Sequence, residues 1–244
     1  MKNIKKFVSA IIVAAGKGTR MNLDINKQYM EICDQPVLAR TLNAFEMCKL
    51  INEVILVVNE SDIFYCKENI VEFFKLNKIK KIVCGGKERQ NSVYNGLLEI
   101  SKHSDIVVIH DGARPFISEE IIGNCISGAY EYNACTAAVP VKDTIKGADI
   151  NGFVEKTYDR KTLWSIQTPQ AFRYDIIVKA HEKGIEDKTI VTDDTSLTEY
   201  LGYPTKLVMG SYDNIKITTI EDLEFGKAII EKGLAKKYGR TDFE

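Results

Sequence analysis

The segment AAGKGTRM, residues 14–21, closes the apolar run FVSAIIVAA and carries the first chemistry in the chain. Gly16 and Gly18 permit a backbone to approach a ligand closely, and Lys17, Arg20 and Lys27 lie on the segment or just after it. That combination suits a dense negative charge. Two phosphate-binding templates can be tested against it. A P-loop needs four residues between its first glycine and a Gly-Lys-Ser/Thr ending, whereas Gly18 is followed by Thr19, Arg20 and Met21. The dinucleotide fingerprint needs a third small residue where Met21 stands and an acid about 20 positions on. The next strand-like run, EVILVVNE, ends near Glu60, which is too far away. Both templates fail, and a cation-rich anion cradle remains.

Further candidates fall at the ends of other apolar runs. Asp111 leaves DIVVIH within HDGARPF, where an aspartate serves equally as a turn cap or as a ligand for a divalent ion. Arg114 precedes Pro115, whose fixed φ stiffens the turn, and its guanidinium suits a loop carbonyl or a phosphate. Gly85 and Gly86 are compatible with an ordinary turn, and Arg89 and Ser92 with capping the helix that follows. Arg160 and Thr168 lie in the polar stretch DRKTLWSIQTPQ, and Lys216 alternates with Ile215 and Ile217; a lysine so flanked in a strand ordinarily faces solvent. Singly, none of these residues is decisive.

The elements that must position them are legible as alternation. β-branched runs (AIIVAA, VILVVN, KIVCGG, IVVIHD) alternate with helical patterns (VLARTLNAFEMC, IFYCKENIVEFFKL, SVYNGLLEI). Continuous apolar strands separated by helices imply crossovers over a buried parallel sheet, hence an α/β fold. Ligands of such sheets bind beyond the carboxyl ends of the strands, which directs attention to residues 14–27, 85–89 and 110–114. From about Cys135 the pattern becomes extended and alternating, with a Gly-Ala-Asp-Ile-Asn-Gly turn at 147–152. This predicts a projecting arm with a hairpin at about 139–171, on a single domain spanning 1–244. Strand pairs polar on both faces need a partner surface, so the arm is expected to mediate a homodimer. Helices are expected around 174–183 and 194–201, strands at TKLVMG and NIKITT, and a capping box of Thr218 and Glu221 opening the last helix.

Composition excludes several classes. The 244 residues are 45% hydrophobic, enough for a sizeable core, and 33 Lys plus Arg against 34 Asp plus Glu give no footprint for nucleic acid or an anionic membrane. Six scattered cysteines without a Cys-x-x-Cys pair read as reduced residues of a cytoplasmic protein. His103, His110 and His181 lack zinc-ligand spacing. The basic MKNIKK is followed by too short an apolar run for a signal peptide or a membrane span.

Taken in order, AAGKGTRM…NKQY, CGGKERQNSV, HDGARPF, VKDTI, DRKTLW…QTPQAF, TDDTS and DNIKIT resemble the 2-C-methyl-D-erythritol 4-phosphate cytidylyltransferase family, from about Phe7 to Lys232. The resemblance implies a Rossmann-like nucleotidyltransferase with a mixed, mainly parallel sheet, a homodimerising β-arm, and a reaction joining the sugar-alcohol phosphate to CTP with Mg²⁺. It implies that Arg20 and Lys27 stabilise the transition state, and that Ala14, Ala15, Gly16 and Gly18 wrap the triphosphate. Gly86 and Ser92 would read cytosine, and Asp111 and Gly112 would meet the ribose and the metal. Arg160 and Lys216 would position the incoming phosphate beside Arg114, Thr144 and Thr168, with Thr144 and Arg160 serving the partner's site. Asn26 stands where the family often has proline, and Lys87 where an acid often reads the base. Ribitol-5-phosphate cytidylyltransferases share the fold and chemistry, and a non-catalytic nucleotide-binding scaffold is the reading from another class.

Overall fold

Three strands form the centre of the chain: β1 (Val8–Val13), β2 (Glu53–Val58) and β4 (Ile106–Asp111). Every residue of β2 and β4 is buried, and all of β1 except Val13. Strands covered on both faces are apolar over most of their length, which is why these runs show no polar alternation; Ser9, Glu53, His110 and Asp111, the polar exceptions, lie at or next to strand ends. The computed structural model describes residues 6–16 and 29–238. Around the centre lie β3 (Ile79–Cys84), β5 (Ala134–Pro140), β8 (Trp164–Arg173) and β9 (Lys206–Met209). The seven strands run in the order β3-β2-β1-β4-β8-β5-β9, with β8 antiparallel to both of its neighbours. The mixed, mainly parallel sheet expected from the sequence is thus present.

Side chains of successive strand residues face opposite layers. On one side Ala10, Ile12 and Val108 pack with Leu42 and Phe45 of α1 (Val37–Met47) and Ile122 of α4 (Glu119–Tyr132). On the other, Ile11, Val107 and Ile109 pack with Val93 of α3 (Arg89–Glu99) and Ile177 of α5 (Tyr174–Glu186). Between β2 and β3 the chain forms α2 (Ile63–Tyr65), which continues as a π-helix over Cys66–Glu72. Because β1 lies between β2 and β4, the winding of the sheet reverses there, and the register sets Val13 opposite Asp111. Crevices in such sheets open at this reversal. The loops after β1 and β4 therefore emerge side by side.

The hairpin is present as β6 (Lys146–Ala148) paired with β7 (Val154–Thr157), a separate two-stranded sheet. Its turn is tied by Asp149, whose Oδ1 accepts from the backbone N–H of Asn151 and Phe153, and Gly152 supplies φ +87°. Since β5 ends at Pro140 and β8 begins at Trp164, the part outside the main sheet is 141–163. Ile150 is fully exposed there and Phe153 is 73% exposed.

Two local expectations need correction. Residues 214–219 form no strand; the Ile217 N–H donates to the carbonyl of Ala113 at 2.8 Å, so this segment is fastened to the loop after β4 rather than to a ladder. The cap of α7 (Ile220–Tyr238) is displaced by one residue from the expected pair. Asp222 Oδ2 accepts from the N–H and hydroxyl of Thr218 and from the N–H of Thr219, at 2.7–2.9 Å. Asp222→Ala is expected to lower the unfolding free energy by about 1 kcal/mol, and Glu221→Ala by less; denaturant titration of both variants checks the assignment.

Candidate active site

The carboxylate of Asp111, at the end of β4 and 7% exposed, is the centre of the site. Arg89 Nε lies 3.2 Å from Oδ1, while Lys216 Nζ is 2.7 Å and Arg114 Nε 3.9 Å from Oδ2. Burial on its own would raise the carboxyl pKa, but Arg89 and Lys216 hold it far below the ordinary range. The group is an anion at any physiological pH.

Each cation reaches Asp111 for a local reason. Arg89 opens α3 but does not cap it, contrary to one sequence reading: Glu88 and Asn91 make the reciprocal box. The arginine is left to bridge, its Nη1 donating to Asp194 Oδ2 at 2.6 Å. Burial opposes its charge, yet Asp194 and Asp111 raise its pKa further. Arg114 donates from Nη1 to the carbonyl of Asn214 at 2.8 Å, so it holds a loop carbonyl and ties the 211–217 segment to the turn after β4. Lys216 sits on that segment. Without a strand to direct it outward, its ammonium reaches Asp111 while the side chain stays partly exposed.

Behind the carboxylate runs a buried chain of hydrogen bonds. The Asp111 N–H donates to Thr168 Oγ1 at 3.1 Å, and Thr168 lies 3.0 Å from His110 Nδ1. His110 Nε2 lies 3.1 Å from the carbonyl of Arg114. A carbonyl only accepts, so Nε2 carries the proton, Nδ1 accepts, and the Thr168 hydroxyl donates to it. Burial lowers the His110 pKa to about 4, which keeps the ring neutral and this polarity fixed. The Thr168 hydroxyl hydrogen is thereby committed, and toward a ligand it can only accept. The Thr168–Pro169 peptide is cis.

Two cavities meet at the cluster. One, of about 560 Å³, is lined by Ala14, Ala15, Gly16, Gly86 and Ser92; the other, of about 650 Å³, by Arg114, Thr168, Gln170 and Thr192. Arg89, Asp111 and Lys216 line both. In the smaller cavity the Gly86 N–H donates to Ser92 Oγ at 3.0 Å, and a β-carbon at Gly86 would collide with Asn91. Gly112 lies behind the wall: its carbonyl accepts from Thr41 Oγ1 at 2.8 Å, and an added β-carbon would stand 3.0 Å from Ala14 Cβ.

The expected site residues therefore divide. Ala14, Ala15, Gly16, Gly86, Ser92, Asp111, Arg114, Thr168 and Lys216 are brought together. Thr144 and Arg160 sit on the projecting segment and line neither cavity; Arg160 Nη1 donates to the carbonyl of Lys142. Gly18, Arg20 and Lys27 lie outside the described residues. Sequence reasoning assigned no role to Asp194, His181, Gln170 or Thr192. The TDDTS motif marked the neighbourhood of Asp194 and Thr192, whereas nothing in the sequence singled out His181. Among the described residues no group of three or more His, Cys, Asp and Glu side chains is arranged to hold a metal ion, and no helix is long and apolar enough to cross a membrane.

The fold and this site define a Rossmann-like nucleotidyltransferase. The family model for "IspD: 2-C-methyl-D-erythritol 4-phosphate cytidylyltransferase" matches residues 8–232. The chain belongs to that family. A relative of that description from Caldanaerobacter subterraneus subsp. tengcongensis is 51% identical over 225 residues, covering 92% of this chain and 99% of the relative. One from Clostridium novyi is 50% identical over 222 residues, covering 91% and 96%. The crystal structure of 4-diphosphocytidyl-2C-methyl-D-erythritol synthase from Anaerococcus prevotii superposes with a TM-score of 0.82 at 37% identity, covering 93% of this chain and 96% of that one.

The buried chain through Thr168 makes a prediction of its own. Thr168→Val leaves the Asp111 N–H and His110 Nδ1 without partners and is expected to cost about 1–3 kcal/mol of stability. Thr168→Ser keeps the hydroxyl and recovers most of it, as chemical denaturation of the two variants will show.

Proposed function

We propose that the chain transfers the cytidylyl group of CTP to 2-C-methyl-D-erythritol 4-phosphate, releasing pyrophosphate. Family membership along nearly the whole chain supports the reaction. The observation that carries the mechanism is the meeting of two cavities at Arg89, Asp111 and Lys216. An oxygen of the alcohol phosphate forms a bond to the α-phosphorus of CTP as the bond from that phosphorus to the β-phosphate oxygen breaks. A phosphate monoester has a second pKa of about 6 and is mostly a dianion at neutral pH, so no general base is required. The barrier is electrostatic, because two polyanions must approach in line.

The smaller cavity suits CTP, with backbone at 14–16 toward the triphosphate and Gly86 and Ser92 toward the base; Gly18 is assigned to the triphosphate by family resemblance alone. Asp111 is the wall residue suited to the ribose, with Gly112 behind the wall supporting the turn rather than touching the ligand. The larger cavity suits the sugar-alcohol phosphate, with Arg114 and Lys216 as its cations. Thr168, able only to accept, is matched to a substrate hydroxyl rather than a phosphate oxygen. Lys216 rests on Asp111 and is available to an incoming phosphate that competes for it. Arg20 and Lys27 carry the developing charge by family resemblance.

Asp111 also fits a divalent ion. It is ionised, offers hard oxygens and borders both cavities, and Mg²⁺ commonly binds through one or two carboxylates together with substrate phosphates. Bound there, Mg²⁺ would neutralise part of the triphosphate charge; Asp111 is the residue that would hold it. Thr144 and Arg160 are assigned to the partner's site in a homodimer formed through 141–163. Their distance from both cavities of their own chain supports this, as do the exposed Ile150 and Phe153 on the arm. Free Cys33 and Cys84 on the surface suit a reducing, cytoplasmic location.

Pyrophosphate release with CTP and Mg²⁺ tests the reaction on methylerythritol 4-phosphate, ribitol 5-phosphate and glycerol 3-phosphate. Preference for the first supports the proposal; preference for ribitol phosphate keeps the chemistry and replaces the substrate. Absence of release with intact CTP binding supports a scaffold. Lys216→Ala and Lys27→Ala are each expected to lower turnover at least about a hundredfold in a folded protein. Mixing inactive Arg160→Ala and Lys27→Ala subunits is expected to restore activity in heterodimers, and inactivity of verified heterodimers would contradict a shared site.

A further inference from the structure

The helix α6 (Asp194–Tyr200) begins with a carboxylate that no substrate needs to touch, yet it is the most tightly enclosed charge near the site. Asp194 is 1% exposed. Its Oδ2 accepts from Arg89 Nη1 at 2.6 Å, its Oδ1 lies 3.2 Å from His181 Nε2, and its N–H donates to Gln170 Oε1 at 3.0 Å. Gln170 Nε2 in turn donates to Asp193 Oδ2 at 2.8 Å, so the start of α6 is fastened to β8 on two sides. His181 on α5 is fully buried, with its ring stacked on Tyr94 of α3. A carboxylate accepts, so His181 Nε2 donates.

We propose that Asp194, backed by His181, is a positioning residue of the transfer reaction. It holds Arg89 across the wall shared by the two cavities and keeps that guanidinium from closing wholly onto Asp111. The inference rests on the cytidylyl-transfer reading. Arg89 divides its charge between two buried carboxylates, and the shorter contact is to Asp194, 2.6 Å against 3.2 Å to Asp111. Asp111 already faces Lys216 at 2.7 Å. Were Asp194 uncharged, the whole of Arg89 would fall to Asp111, which would then be saturated by Arg89 and Lys216, with Arg114 3.9 Å away, and lose its hold on a ligand. Arg89 would also leave the plane in which it borders both cavities. A lysine is a poor substitute, because a single ammonium would replace two donor nitrogens, Nε toward Asp111 and Nη1 toward Asp194, held in one rigid fork. The separation of 105 positions between Arg89 and Asp194 hides the pair from any local sequence pattern.

Steady-state kinetics on Asp194→Asn, Arg89→Lys and the double variant test the idea. Each single variant is expected to lower kcat at least about tenfold, with the KM for CTP changed less than about threefold, because misalignment and not base recognition is affected. The double variant should be no slower than the slower single one, since both remove the same interaction. Multiplying losses would overturn the proposal. Should Asp194→Asn fail to fold, His181→Gln, which keeps a donor at the Nε2 position, should preserve kcat while His181→Leu lowers it; equal kcat in the two would overturn the proposal. The Arg89 Nη1–H resonance, assigned by its loss in Arg89→Lys, reports the hydrogen bond to Asp194 and gives a readout independent of turnover. Its exchange should quicken at least about tenfold in Asp194→Asn or His181→Leu, and an unchanged rate would overturn the positioning role. Inactivity of the wild-type protein would refute cytidylyl transfer while leaving this resonance to decide the positioning.

Discussion

A guanidinium shared by two buried carboxylates is the interaction on which the rest of the site depends. Asp111 and Asp194 are each nearly inaccessible, and charges so placed are tolerable only when paired and hydrogen-bonded. Arg89 satisfies both, His181 is drawn to Asp194, and Lys216 is drawn to Asp111. Three distant stretches of the chain, α3 with β4, α5 with α6, and the 211–217 segment, are thereby tied to one point. Removing a single partner leaves an uncompensated charge, so the cluster behaves as a unit.

The sheet makes that cluster possible. Reversal of winding beside β1 places the loops after β1 and β4 next to one another, and the antiparallel β8 inserts beside β4 so that Thr168, in the middle of β8, meets Asp111 at the end of β4. A parallel strand in that place would have required a crossover and would have run in the opposite sense. The reversed direction delivers Thr168 and Gln170 to the crevice from a strand that also supports α6. Fold and chemistry are thus joined through one strand.

Much of this was legible in the sequence, for a physical reason. Strands buried on both faces are mostly apolar, so β1, β2 and β4 declared themselves by composition, and the loops beyond their carboxyl ends followed as the places to search, whereas the strand order did not. The hairpin declared itself by its turn residues. What escaped was set by contacts distant in the chain. Lys216 looked like a solvent-facing strand residue because its neighbours alternate, but the segment bonds to the turn at Ala113 and turns the lysine inward. Arg89 looked like a cap until Glu88 and Asn91 took that role. TDDTS marked the neighbourhood of Asp194 without its role, and His181 had no local signal, because their partners lie on other helices.

The charge balance of the cluster explains how a site for two polyanions can be stable while empty. Arg89, Arg114 and Lys216 face Asp111 and Asp194, three cations to two carboxylates, leaving a single net positive charge. An uncompensated group of three cations would repel itself and destabilise the crevice; a fully neutral set would offer nothing to a phosphate. The observed balance lies between these extremes, and its most accessible member is Lys216, whose side chain is 39% exposed against 27% for Arg89 and 13% for Arg114. An incoming anion can therefore recruit Lys216 without disturbing the buried bridge. Binding of substrate then requires exchange of one surface-facing ion pair, while the guanidinium that organises the crevice stays where the fold has fixed it.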